Sequence, residues 1–315
     1  MHQKTLGLLF VLTAAVLFGI NGSLSRLLFD SGVTPVTLVE IRMIVGSLCL
    51  FALLSTQPRQ VWRIPRRTRG WLVAFGLIIA LVTYTYFVAI SRVPIALVLV
   101  IQFTGPVWMA TAVALWRRRL PSWHVLLALL LTLSGVVLVT RLLEQRLGSL
   151  DVIGLLFSFF ALIAFIAYLV LGRRVGGQLH PIASTAYGAG VAAVFWLLVQ
   201  PPWSIPASTW NLHTFILIAL VGIIGMAIPF SLEVAALRRL DATRAGIAAM
   251  FELPASALIA FLWLGQSLDL WQILGCTLVL AGITLVQLEK PGKQNTSALQ
   301  HSPVRDGRWW LPEWE

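Results

Sequence analysis

Long apolar stretches, each closed by a proline, a glycine or a cluster of charges, follow one another along almost the whole chain. A helix needs about 20 mainly apolar residues to cross about 30 Å of hydrocarbon. Ten segments approach that length: Leu6–Leu28, Val36–Leu54, Trp71–Ile90, Ile95–Trp116, Trp123–Thr140, Val152–Leu171, Ile182–Val199, Phe215–Ala236, Ala245–Leu264 and Leu270–Leu288. Pro35, Pro58, Pro94, Pro121, Pro181 and the Pro201-Pro202-Trp203 turn stand between them. None of the runs alternates apolar and polar residues as a barrel strand does, and only helices or closed barrels satisfy their own backbone groups in lipid. The pattern predicts an all-α polytopic membrane protein with ten transmembrane helices.

Composition removes the soluble alternatives. The 315 residues are 58% hydrophobic and 11% charged, with a mean hydropathy of +0.88, whereas soluble chains carry about 25% charged residues. Cys49 and Cys276 lie inside apolar runs and offer no disulfide framework. The net charge of +11 is explained by loop placement. With the N-terminus cytoplasmic, 18 of the 23 lysines and arginines fall inside, among them Arg59, Arg63, Arg66, Arg67, Arg69, Arg173, Arg174, Arg238, Arg239 and Arg244. Arg26, Arg42, Arg92, Arg141 and Arg146 fall outside. This split predicts both termini in the cytoplasm. No aromatic-basic module accompanies the charge, so nucleic acid is not an expected partner. The first run is too long for a signal peptide core and reads as a retained helix. The polar tail, residues 290–315, reads as a flexible cytoplasmic end.

Sliding the chain along itself by 147 residues brings Gly7, Leu8, Leu9, Phe10 and Ala14 onto Gly154, Leu155, Leu156, Phe157 and Ala161, and Arg92 onto Arg239. Gly135, Leu138 and Val139 fall on Gly282, Leu285 and Val286, and Pro106 misses Pro254 by one position. The shared offset predicts two five-helix repeats, residues 1–146 and 147–289. An odd number of spans starts the second copy on the opposite membrane face, so the repeats are inverted. Inverted repeats are a recurring architecture of secondary transporters, which hold substrate near the midplane and expose it alternately to each side.

Polar residues inside the spans nominate the site. Glu252, in Met250-Phe251-Glu252-Leu253-Pro254, is an ionisable group within a span and so a default functional candidate. Such a carboxyl can take up and release a proton as its surroundings change from wet to dry; the structural alternative bonds it to a hydroxyl such as Ser256. Pro106 and Pro254 break spans four and nine, each removing an amide donor, and Gly105 precedes the first of them. Gln102 lies one turn before Pro106 on roughly the same face. Asn21 in span one and Thr83, Tyr84 and Tyr86 in span three complete the set, with packing as the alternative for the tyrosines. Glu40, Arg42, Arg26 and Glu233 sit near span ends, where the alternatives are ion pairing and snorkelling to the interface, the latter common for long side chains. Arg42 is the one also suited to attract a substrate carboxylate.

Enzyme chemistry finds no support. None of the five histidines has metal-ligand spacing with a cysteine or carboxylate. A phosphate-cradling glycine loop is absent too, and no cofactor is expected. The motive force is expected to come from an ion or solute gradient, and the expected partners are a small-molecule substrate, protons and the lipid bilayer.

Val93-Pro94 with Gln102-Phe103-Thr104-Gly105-Pro106 resembles the fourth-helix motif of bacterial threonine/homoserine exporters, which belong to the EamA branch of the drug/metabolite transporter superfamily. Pro229-Phe230-Ser231-Leu232-Glu233 through Ala236-Leu237, and Gly246 through Met250 to Glu252, resemble the same group. The likeness spans most of residues 1–289. It implies an exporter of small amino acids in the bacterial inner membrane, driven by protons. Uptake, or export of drugs or other metabolites, is the alternative that near-symmetric repeats leave open. The chain departs from the group at Gln102 and Gln266, where that group has glutamate, and at Leu253, which separates Glu252 from Pro254. The resemblance thus leaves Glu252 as the proton-coupling candidate.

Overall fold

The computed structural model describes residues 2–30, 32–117, 121–141, 151–205, 211–264 and 268–288. Arg146, Gln266 and the 290–315 tail therefore lie outside the described residues. Every regular element among the described residues is helical: α1 (His2–Asp30), α2 (Pro35–Ser55), α3 (Arg66–Ile90), α4 (Ile95–Phe103), α5 (Gly105–Arg117), α6 (Trp123–Val139), α7 (Val152–Gln178), α8 (Pro181–Val199), α9 (Leu212–Gly222), α10 (Ile228–Leu237), α11 (Ala242–Ala249), α12 (Glu252–Leu264) and α13 (Leu270–Leu288), with short turns at Arg59–Trp62, Pro202–Ser204 and Ile223–Ala227. Eight helical stretches are long and apolar enough to cross a membrane, counting Leu97–Leu115 across the α4–α5 junction and Leu212–Leu237 across α9 and α10. Trp123–Val139 is a shorter apolar helix. The expected span over 245–264 is two helices, α11 and α12, that meet at Met250 and Phe251.

Local chemistry explains where the helices begin. Thr34, Ser122, Asp151, Asn211, Asp241 and Asp269 each accept a hydrogen bond from a backbone N–H in the first turn that follows, satisfying donors that a helix start leaves orphaned. Pro35 and Pro181 open their helices, a position that needs no amide donor, and Pro94 stands at the N-cap of α4. The outward surface is apolar: Leu115 is 75% exposed and Leu198 79%, as a surface solvated by acyl chains requires.

The helices of the two halves correspond at the offset of 147. Residues 95–103 and 105–117 map onto 242–250 and 252–264, the positions of α11 and α12, and α6 maps onto 270–286 within α13. Contacts are exchanged in the same register. A Cβ at Gly7 would sit 2.9 Å from the Arg239 Cβ, and one at Gly154 would sit 2.9 Å from the Arg92 Cβ. Arg239 Nε donates to Gln3 Oε1, and Arg92 Nη1 donates to Asp151 Oδ2. Where α6 meets α13, a Cβ at Gly135 would approach the Gly275 carbonyl to 2.6 Å, and one at Gly282 the Ala128 carbonyl to 2.8 Å. The late residue of each helix meets the early residue of the other, so α6 and α13 run antiparallel. Lipid supplies no hydrophobic force between helices, and small residues let backbones approach closely enough for dispersion to hold them together.

Two outcomes follow from this packing. Gly135→Val and Gly282→Val lower thermal stability in detergent by about 1–3 kcal/mol of overpacking, whereas Gly177→Ala, with open space around it, leaves the midpoint unchanged. The Arg92 hydrogen bond holds the Asp151 carboxyl below the usual carboxylate range, aided by the Ile153 and Gly154 amides. Its folded pKa is depressed, so its contribution is present above the usual carboxylate pKa and lost as pH falls through the folded value. Asp151→Asn therefore lowers the melting midpoint slightly at pH 7, and the difference closes on acidification.

Candidate functional site

Three interruptions of the helical ladder shape the interior. Pro106 and Pro254 each lack the N–H that would bond the carbonyl four residues earlier. The chain turns tightly beside both: Thr104 N–H bonds Ile101 O at 3.1 Å, and Leu253 N–H bonds Met250 O at 3.2 Å. Pro106 packs against Gly246 of α11, which brings the two broken helices together. The third interruption is Ile223–Ala227, a widened turn in which the Ile228 N–H returns to the Ile223 carbonyl. Widened turns of this kind occur frequently at functional sites.

Between these breaks lies a cavity of about 90 Å³, lined by α1, α2, α3, α4, α7, α10, α11 and α12. Its lining is mainly apolar with a few convergent polar groups, the chemistry of small-molecule sites. Seven of the lining residues are aromatic: Phe18, Tyr86, Phe87, Phe103, Phe165, Tyr168 and Phe230. Phe18 and Tyr168 both meet the Phe230 ring edge-on, at 5.5 and 5.3 Å between centroids. The polar lining comprises Asn21, Arg42, Thr83, Gln102, Glu233 and Glu252, with the two tyrosine hydroxyls. Tyr86 interacts electrostatically with both Arg42 and Glu252, Glu252 with Glu233, and Glu233 with Tyr168. The two carboxyls therefore lie within electrostatic reach of each other, and Tyr86 within reach of both Glu252 and the guanidinium.

Six of the nominated polar residues, Asn21, Arg42, Thr83, Tyr86, Gln102 and Glu252, converge on this cavity. Tyr84 does not line it: its ring packs 5.0 Å from Trp196 and 5.9 Å from Phe157, because it follows Thr83 on the next face of α3. The Thr83 hydroxyl donates to the Ile79 carbonyl of its own helix. Ser256 donates to the backbone carbonyl of Glu252 rather than to its carboxyl. Gly105 opens α5 beside Phe165, and Pro254 is buried in the first turn of α12. Gln102 Oε1 and Asn21 Oδ1 are buried and have no hydrogen-bond partner among the described residues.

The interface reading of Glu40, Arg42 and Glu233 is corrected. Their exposures are 0%, 2% and 6%, because α2 packs against α3, α8 and α9, and α10 packs against α1, α7 and α8. Among the described residues Arg42 pairs with no carboxylate. One nitrogen donates to the Gly225 carbonyl, and the guanidinium lies 5.1 Å from the Phe87 ring centroid.

Tyr168 is the polar cavity residue that the sequence pattern does not single out, and Glu233 is one that it places at a span end. The 147-residue offset contains the signal: it pairs Phe18 with Phe165, Asn21 with Tyr168, Thr83 with Phe230, Tyr86 with Glu233 and Gln102 with Ala249, and all ten line the cavity. Once one partner of a pair is nominated, the offset names the other. Among the described residues no group of three or more His, Cys, Asp or Glu is placed to hold a metal ion.

Comparison with known proteins gives this cavity a family. Residues 5–141 and 152–288 each match the EamA-like transporter family. The chain is 28% identical over 281 residues to the threonine/homoserine exporter RhtA of Salmonella typhimurium, covering 86% of this chain and 88% of that one. To RhtA of Escherichia coli K12 it is 28% identical over 268 residues, 83% of this chain and 84% of that one. The uncharacterized inner membrane transporter YicL of Salmonella typhimurium is 26% identical over 291 residues, with coverage of 90% and 95%. A solved crystal structure shares the fold at a TM-score of 0.73, with 18% identity, over 90% of this chain and 96% of that one. The family match over both halves of this helical bundle makes the chain a member of the EamA-like transporter family, within the drug/metabolite transporter superfamily.

Proposed function

We propose that this transporter is a secondary active exporter of small amino acids of the threonine and homoserine kind, or of related metabolites, driven by the proton gradient across the bacterial inner membrane. The observation that carries the reading is a cavity built from equivalent positions of the two halves and bordered by two broken helices, one of which begins at Glu252. The exchanged contacts and the antiparallel α6–α13 pair support two inverted repeats, 1–146 and 147–289, that rock against each other around the site. Both termini are cytoplasmic in this reading. Half-helices whose N-termini border a cavity are how transporters of this type meet anionic substrate groups, and α12 begins there, at Glu252.

Glu252 carries the proton. Asn21, Gln102, Thr83, Tyr86 and Arg42 contact the substrate, Pro106, Pro254 and Gly105 allow the helices to deform, and Tyr84 serves through packing with Trp196. The aromatic lining favours a substrate with an apolar body. A test panel therefore includes leucine and phenylalanine beside threonine and homoserine.

In proteoliposomes with an imposed pH gradient, at least one labelled member of that panel moves saturably and shows counterflow, and Glu252→Gln removes the gradient-driven component. Absence of flux for every solute under any gradient overturns the exporter reading, and single-channel current steps indicate a channel. Tyr86→Phe weakens substrate binding about fivefold, the worth of one hydrogen bond, while Tyr84→Phe leaves both binding and flux unchanged. Thermal-shift titration in detergent checks the binding half of that pair.

A further inference from the structure

The Pro229-Phe230-Ser231-Leu232-Glu233 segment contributes Phe230 and Glu233 to the cavity, which leaves the proline unexplained. Pro229 has no N–H to return to the carbonyl four residues earlier, that of Gly225. The Gly225 carbonyl instead accepts a hydrogen bond from Arg42 of α2, in the opposite half of the chain. Close backbone approach makes this reach possible: a Cβ at Gly222 would meet the Arg42 carbonyl at 3.2 Å, and one at Gly46 would meet the Gly222 carbonyl at 3.1 Å. Gly225 also has to be glycine, because a Cβ there would overlap the Asn21 side chain.

The guanidinium fixed in this way is 2% exposed, and its Nε is buried without a partner among the described residues. Its neighbours, a carbonyl, the Phe87 ring and the Tyr86 phenol, are favourable but carry no formal negative charge. A buried charge left without a counter-charge is costly, and a guanidinium fork matches a carboxylate in shape. The arrangement exists once: the offset of 147 places Val82, Ile78 and Ala189 where Pro229, Gly225 and Arg42 stand. One half supplies the cation and the other the broken helix that aims it.

Building on the transporter reading, we propose that Arg42 is the cavity's receptor for a substrate carboxylate, and that Pro229 and Gly225 are positioning residues that hold it there. Pro229→Ala returns an amide donor to the Gly225 carbonyl, which then competes with Arg42. Binding is measured on the purified full chain in detergent, using L-threonine, L-homoserine, L-leucine and L-phenylalanine, with the carboxamide and the decarboxylated amine of each. At least one of these amino acids binds wild type, and its carboxamide binds about tenfold more weakly or worse, the loss of a charge-assisted hydrogen bond. In Arg42→Gln this discrimination vanishes, and Arg42→Lys keeps part of it. Pro229→Ala reduces discrimination severalfold without changing amine affinity, and adds nothing on top of Arg42→Gln. A purely structural proline would weaken all probes alike, which overturns the positioning role. Equal binding of acid and amide, or no binding of any of the amino acids, overturns the receptor. Carboxylate binding without flux in liposomes sinks the transporter reading alone, and flux of the amines with no preference for acids sinks this inference alone.

Discussion

A backbone carbonyl in lipid has no water to turn to, so each one that loses its helical partner must find another inside the protein. That constraint governs this molecule because its sequence breaks its own helices at Pro106, Pro229 and Pro254. Irregular backbone at membrane depth is tolerated where protein buries it or a wet cavity runs beside it, and here the breaks gather round one cavity. At Gly225 the replacement partner is a side chain from the other half, Arg42. Satisfying the backbone and placing a cation are there a single event.

The same economy runs through the pairing of the halves. Equivalent helices meet in equivalent ways, through Gly7 and Gly154 on opposing arginine stems and through Gly135 and Gly282 on opposing backbones. Contacts exchanged in that way bring equivalent positions of the two halves into one space, so the cavity lining contains matched pairs. Their scaffold is shared while their chemistry has diverged: Tyr86 stands opposite Glu233, Asn21 opposite Tyr168 and Gln102 opposite Ala249. Both carboxyls come from the second half and the guanidinium from the first. The charge distribution of the cavity is thus directional although the two halves that build it correspond.

Much of the architecture is written in the chain. Run length and the lack of alternation imply membrane helices, because the bilayer thickness and the need for internal backbone bonding act on sequence directly. The 147-residue register is legible in the chain alone and makes α6 the equivalent of α13 and Gly7 and Arg92 those of Gly154 and Arg239, but that these elements touch is decided by packing. Glu252, Gln102, Asn21, Thr83 and Tyr86 can be singled out because polar groups inside apolar runs are conspicuous. Tyr84 and Tyr86 look alike by the same criterion, yet one packs on Trp196 and the other lines the cavity.

What the sequence alone determined is therefore a set of local energies: which segments enter lipid, where helices start on Thr34, Asp241 or Asp269, where prolines interrupt them, and which polar residues are anomalous. Only the tertiary structure decided which anomalies share a space. Arg42 and Glu233 lie near span ends, and burial depends on which neighbouring helices cover them rather than on distance along a span. The bond between Arg42 and Gly225 joins residues 183 positions apart, and no periodicity carries that information. It exists because two packed helices happen to bring an orphaned carbonyl to a guanidinium, and proximity of that kind is a property of the assembled bundle.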